Sequence, residues 1–144
     1  MQQSYTPSDK ILEKYADVLV TIGLGHTKGP KKGETVWLQF PEVAKPLLYW
    51  VYKKVLEKGA HPVIDFIPSS TEKYKFERTF YELAKTHQLD FYNREHLEAK
   101  LNSSQNRIAI VAETDKHELS GIDAKKISRK TKAKAPYTKL YFDK

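Results

Sequence analysis

Residues 32–68, KGETVWLQFPEVAKPLLYWVYKKVLEKGAHPVIDFIP, constrain the fold more than any other part of the chain, because they read as one strand–helix–strand unit. Residues 35–40 are short, rich in β-forming side chains and bounded by Gly33 and Pro41, the pattern of a strand. Ala44, Leu48, Val51 and Val55 then recur at helical spacing over residues 43–58, with Leu47, Tyr52 and Leu56 widening the stripe. Pro46 falls in the first turn, where a backbone N–H has no intrahelical acceptor to lose. Gly59 stands where a helix ends, Pro62 blocks a restart, and residues 61–67 supply a second strand. Two strands joined through one helix by short loops make a right-handed crossover, so they lie parallel.

The flanking segments extend this unit. Ser8 and Asp9 cap a helix over residues 9–24, with Ile11, Leu12, Tyr15, Ala16, Val18, Leu19 and Ile22 as its apolar face. A third helix is expected over residues 71–86, with Tyr74, Phe76, Phe80, Leu83 and Ala84 as its apolar contacts, then a short extended segment at 89–92 and a helix at 94–101. Residues 107–113, RIAIVAE, are almost continuously apolar, as in a strand covered on both faces at the middle of a parallel sheet. Asp123 caps a basic helix that Pro136 is expected to end, leaving residues 137–142 as an extended tail. The fold class is therefore α/β, a small three-layer domain with a mainly parallel sheet and flanking helices. Residues 1–122 form the domain and 123–144 a basic helix and tail at its edge, where the composition shifts after Gly121.

Composition narrows the functional classes. At 144 residues the chain has about one domain's length and buries roughly two-thirds of its unfolded surface. The absence of cysteine removes thiolate nucleophiles and Cys-rich zinc sites, and points to a cytoplasmic origin. No apolar run reaches membrane-spanning length, and MQQSYTPSDK lacks the basic start and apolar core of a signal peptide.

Ligands of open parallel sheets bind where strands end and helices begin, which selects Glu42, Glu113 and Asp115 as residues facing a cleft. None of these turns carries a glycine-rich phosphate loop, and Pro41 with Glu42 opposes phosphate binding. The run Glu113-Thr114-Asp115-Lys116-His117-Glu118 holds metal-ligand chemistry, but an acidic turn with Thr114 or Asp115 as cap is the stronger reading. His61 and Asp65 share one side of their strand, where a buried hydrogen-bonded His–Asp contact or simple edge exposure is a stronger reading than a ligand pair. HExxH and the nucleophile elbow are both absent. Much of the formal charge of +7 lies in residues 125–134, where Lys125, Arg129 and Lys132 share a helical face and Tyr137 and Tyr141 are placed to stack on bases. That face reads as solvated, or as paired with acidic surface, before it reads as a nucleic-acid site.

Lys14-Tyr15-Ala16-Asp17-Val18-Leu19-Val20, the Lys-Lys-Gly-Glu turn at 31–34, Pro41-Glu42-Val43-Ala44-Lys45-Pro46-Leu47-Leu48 and Gly59-Ala60-His61-Pro62 resemble the opening of the aminopeptidase T-like family of thermophilic metallo-aminopeptidases. Ala112-Glu113-Thr114-Asp115, Gly121-Ile122-Asp123-Ala124-Lys125-Lys126-Ile127 and Lys134-Ala135-Pro136-Tyr137 are similar to later segments of that family's N-terminal domain, in the same order. The resemblance implies an enzyme that removes N-terminal amino acids from peptides with a pair of divalent metal ions, zinc or cobalt. It places the ligands on a C-terminal catalytic domain beyond Lys144, so no catalytic, cofactor-binding or metal-binding residue carries over to this chain. The expectation is an N-terminal domain that packs beside that catalytic domain, helps wall the peptide cleft and is inactive alone. The alternative is a free-standing module that binds nucleic acid or an acidic protein through its basic helix.

Overall fold

The strand Thr35–Pro41 (β1) is paired on both sides, parallel to His61–Ile67 (β2) and parallel to Asn106–Ala109 (β3). This computed structural model describes residues 5–144; residues 1–4, part of the stretch read for a signal peptide, lie outside the described residues. The register runs from Thr35 opposite His61 to Pro41 opposite Ile67, and from Val36 opposite Asn106 to Gln39 opposite Ala109. The sheet order is thus β2-β1-β3, and the α/β class with a parallel sheet is as the sequence implies.

The central position belongs to β1, not to the 107–113 run. Val36, Leu38 and Phe40 have no exposed surface, whereas β3 is a short edge strand and Val111 is 93% exposed. A continuous apolar run identifies a segment that tolerates cover on both faces, but β1 has the same character and already uses both of its edges.

The chain divides into two compact units, one of residues 1–67 and 104–112, the other of residues 68–103 and 113–144. In the first, the helices Asp9–Thr21 (α1) and Lys45–Glu57 (α2) pack on the sheet through Ala16, Val20, Leu48, Val51 and Val55. An ion pair of 3.6 Å joins Lys54 of α2 to Asp17 of α1. Pro46 sits in the first turn of α2, as its missing donor requires. Gly59 adopts φ +76°, and a Cβ there would meet the Lys32 side chain at 3.2 Å, so the α2–β2 turn depends on glycine.

The expected apolar face of α1 is really two stripes. Leu12, Ala16 and Val20 are buried, while Ile11, Tyr15, Val18 and Ile22 are exposed. At about 100° per residue the seven side chains span too wide an arc for one contact: the core takes Leu12, Ala16 and half-buried Leu19, together with Val20, which the expected face omitted. The helix also stops at Thr21, before the glycines.

The second unit departs further from expectation. Its first helix spans only Phe76–Leu83 (α3); Ala84 and Lys85 are extended, and a single turn follows at Thr86–Leu89 (α4). Consequently Tyr74, Phe76 and Leu83 are exposed, and Tyr81, Ala84 and Leu89 form the small core with Phe80, Leu119, Ile122 and Ile127. Leu89 closes α4 and is buried, so no strand forms at 89–92. The helix Arg94–Asn102 (α5) forms where expected, with Asn93 accepting from the His96 amide at its start. Asp123 caps Ala124–Asp143 (α6), which runs straight through Pro136 where an extended tail was expected. An interior proline costs about 3 kcal/mol. Burial of Tyr137, 6% exposed, offsets this by roughly 1.5–3 kcal/mol. The Tyr137 and Tyr141 rings also pack at 6.0 Å, a contact that needs the helix to continue. No helix among the described residues is long and apolar enough to cross a membrane.

Phe40→Ala is expected to lose about 3–5 kcal/mol in urea unfolding, while Val111→Ala stays within about 0.5 kcal/mol. Equal losses would contradict the placement of β1. Before β1, the Lys31 amide at 2.8 Å and the Asn106 side-chain amide at 2.9 Å donate to Glu34 and hold its carboxyl below the ordinary value of 4.5. A carboxyl lowered in the folded state adds stability that is present above about pH 4.5 and lost as pH falls through the lowered value. Glu34→Gln should therefore flatten the acid limb of a Tm-against-pH curve; an unchanged limb would remove Glu34 from that role.

Candidate functional site

In the first unit, β1 ends at Pro41 and the chain enters a 3-10 turn, Glu42–Ala44, that leads into α2. Glu42 is exposed at that strand end. Across the sheet, Asp65 of β2 accepts a hydrogen bond from the Trp37 indole at 3.3 Å. His61 is exposed at the start of β2, and its amide donates to the Glu34 carbonyl. Asp65 is therefore tied to the β1–β2 scaffold through Trp37.

The acidic run 113–118 lies in the second unit, and most of its groups serve architecture. Asp115 accepts from the His117 amide at 2.9 Å and pairs with Lys75 at 3.7 Å, which is the capping role weighed against a ligand role. Thr114 donates to the Ser70 carbonyl at 3.0 Å. Glu113 is exposed on the same loop.

Glu118, 8% exposed, has a function that no local motif announces. Its carboxylate accepts from the Ser70 hydroxyl at 2.7 Å and from the backbone amide of Arg78 at 3.3 Å. Arg78 is the third residue of α3, and Lys75, at the position before that helix, supplies no side-chain cap. A lysine has no acceptor, so a carboxylate from a loop forty residues away takes the cap and also meets the positive end of the helix dipole. The Arg78 guanidinium completes the contact by donating to the carbonyls of Glu118 and Ser120, at 3.0 and 2.9 Å.

Among the described residues, no group of three or more histidine, aspartate or glutamate side chains is placed to hold a metal ion. The nearest set by chemistry, Glu113, Asp115 and His117, has its central carboxylate engaged by Lys75 and a backbone amide. These residues do not fit a divalent metal centre.

The basic face of α6 forms as expected. Lys125, Arg129 and Lys132 line a groove of about 860 Å3 together with Lys85, Thr86 and Leu89. Arg129 forks onto Asp90 through bonds of 2.6 and 2.7 Å, which hold the Asp90 carboxyl below its ordinary range. Lys126 donates to the carbonyls of Tyr81 and Ala84 at the end of α3, at 2.8 and 3.3 Å. Lys130 donates to the Phe91 carbonyl, and burial lowers its pKa. Tyr137, expected to stack on bases, is instead buried beside Tyr141.

Residues 8–144 match the thermophilic metalloprotease (M29) family. Among solved structures the chain is similar to wild-type AmpT from Thermus thermophilus, at 22% identity and a TM-score of 0.65 over 93% of this chain. It spans 32% of the length of that structure's chain. No curated protein matches the chain.

Replacing Glu118 by alanine removes two accepted bonds from a buried site, so Glu118→Ala should cost about 1–3 kcal/mol and speed hydrogen exchange in the first turn of α3. Glu118→Gln keeps an acceptor oxygen and should lose less. Unchanged exchange at the Arg78 amide in the alanine variant would contradict the capping role.

Proposed function

Because the chain belongs to the thermophilic metalloprotease (M29) family, we propose that it is the non-catalytic N-terminal domain of a metal-dependent aminopeptidase that removes N-terminal amino acids from peptides. The observation that carries this reading is the family match over residues 8–144, in a chain that spans 32% of a related solved structure. The chemistry of its side chains supports the same conclusion. Asp115, Glu118 and Asp90 are engaged in caps and ion pairs.

In the whole enzyme this domain packs beside the catalytic domain, which holds the zinc or cobalt ions, and it helps wall the peptide cleft in the cytoplasm. Glu42 of the first unit is assigned to that wall from its place at the end of β1, and Glu113 and Asp115 of the second unit from theirs on the loop that follows β3. Residues 1–122 make the domain proper, and the basic helix beyond them forms its edge.

The test is hydrolysis of aminoacyl reporter substrates by the purified chain with cobalt or zinc added. No turnover above the metal-only rate is expected. Metal-dependent turnover that a chelator abolishes would overturn the non-catalytic assignment.

A further inference from the structure

The groove on α6 keeps charge that the fold does not use. Arg129 is neutralised by Asp90, and Lys126 is committed to the carbonyls at the end of α3. Lys85, Lys125 and Lys132, which line the same groove, make no ion pair among the described residues. Lys125 and Lys132 stand seven residues apart on one face of α6, and Lys85 approaches from the start of α4. Between them lies an aliphatic floor that includes Ala84 and Leu89. The volume, about 860 Å3, is that of a site for a small ligand or a short peptide segment.

The geometry points to an acidic polypeptide segment as the occupant of this groove, with carboxylates on the three lysines and an apolar side chain on the Ala84–Leu89 floor. Charge complementarity selects an anion, and the floor selects among anions. Single-stranded nucleic acid draws much of its affinity from bases stacked on aromatic rings. The groove lining has no aromatic side chain, and Tyr137 is buried against Tyr141. A second copy of this chain is a poor occupant, because each copy carries a formal charge of +7. The inference does not depend on the peptidase reading; it rests on the second unit alone.

The experiment is fluorescence anisotropy with the full chain and three labelled probes of equal length: a glutamate–leucine peptide, its glutamine–leucine counterpart and an oligothymidylate. The acidic peptide should bind saturably at low salt, more tightly than the other two, and weaken as salt rises. The double variant K125E/K132E should weaken it by about tenfold or more. Lys14→Glu, a single charge reversal on an exposed face of α1 to set beside Lys85→Glu, should leave it within about twofold. Lys85→Glu alters the groove from outside α6 and should also weaken binding, which separates loss of the site from damage to the helix. Equal binding of the glutamine peptide, tighter binding of the oligonucleotide, an equal effect of Lys14→Glu or no saturable binding would each overturn the assignment.

Discussion

Both edges of β1 are hydrogen-bonded in parallel and both of its faces are buried, and the first unit is organised around that one strand. Val36, Leu38 and Phe40 supply the floor on which α1 and α2 lie, while Trp37 reaches across to Asp65 of β2. A central parallel strand cannot be built from local contacts. Its neighbours come from crossover connections, one short through α2 and one long that passes through residues 68–103 before β3 arrives. The turns before β1 and β2 therefore have to be held accurately. Glu34 links the first of them to Asn106, Gln105 accepts from the Thr35 amide, and Gly59 permits the tight exit from α2.

The second unit has fewer buried hydrophobic side chains, Tyr81, Ala84, Leu89, Leu101 and Tyr137 among the described residues, so packing alone gives it a small core. Polar contacts from distant sequence complete it. Glu118 caps the start of α3, Lys126 satisfies carbonyls at its end, and Arg129 clamps Asp90 beyond α4. These charges look like chemistry when read in a line, yet in space they are the fastenings of short helices. The lysines that face the α6 groove, Lys85, Lys125 and Lys132, take no part in this fastening.

Where periodicity and punctuation decided the structure, the sequence was legible. Pro46, Gly59 and Pro62 bracket α2 and β2, and the observed β2 coincides with the expected 61–67. Asp123 announces α6. Legibility failed where a tertiary contact overruled a local signal. Pro136 is a valid stop until Tyr137 finds a buried site, and the face of α1 is ambiguous until the sheet selects one stripe. The candidate site was legible in part. Asp115 as a turn cap follows from residue type, but the role of Glu118 depends on Arg78 and Ser70, which no spacing rule connects to it. Nor does a basic run reveal which of its lysines will be paired.

On the proposed reading this member of the M29 family builds a scaffold, and the metal chemistry lies on another domain. Its most direct test is titration of the chain with cobalt(II) near neutral pH, followed by calorimetry and visible absorption. No saturable site is expected, and only the spectrum of the hydrated ion. Stoichiometric uptake of one or two ions, with the absorption of a low-symmetry protein site, would contradict it.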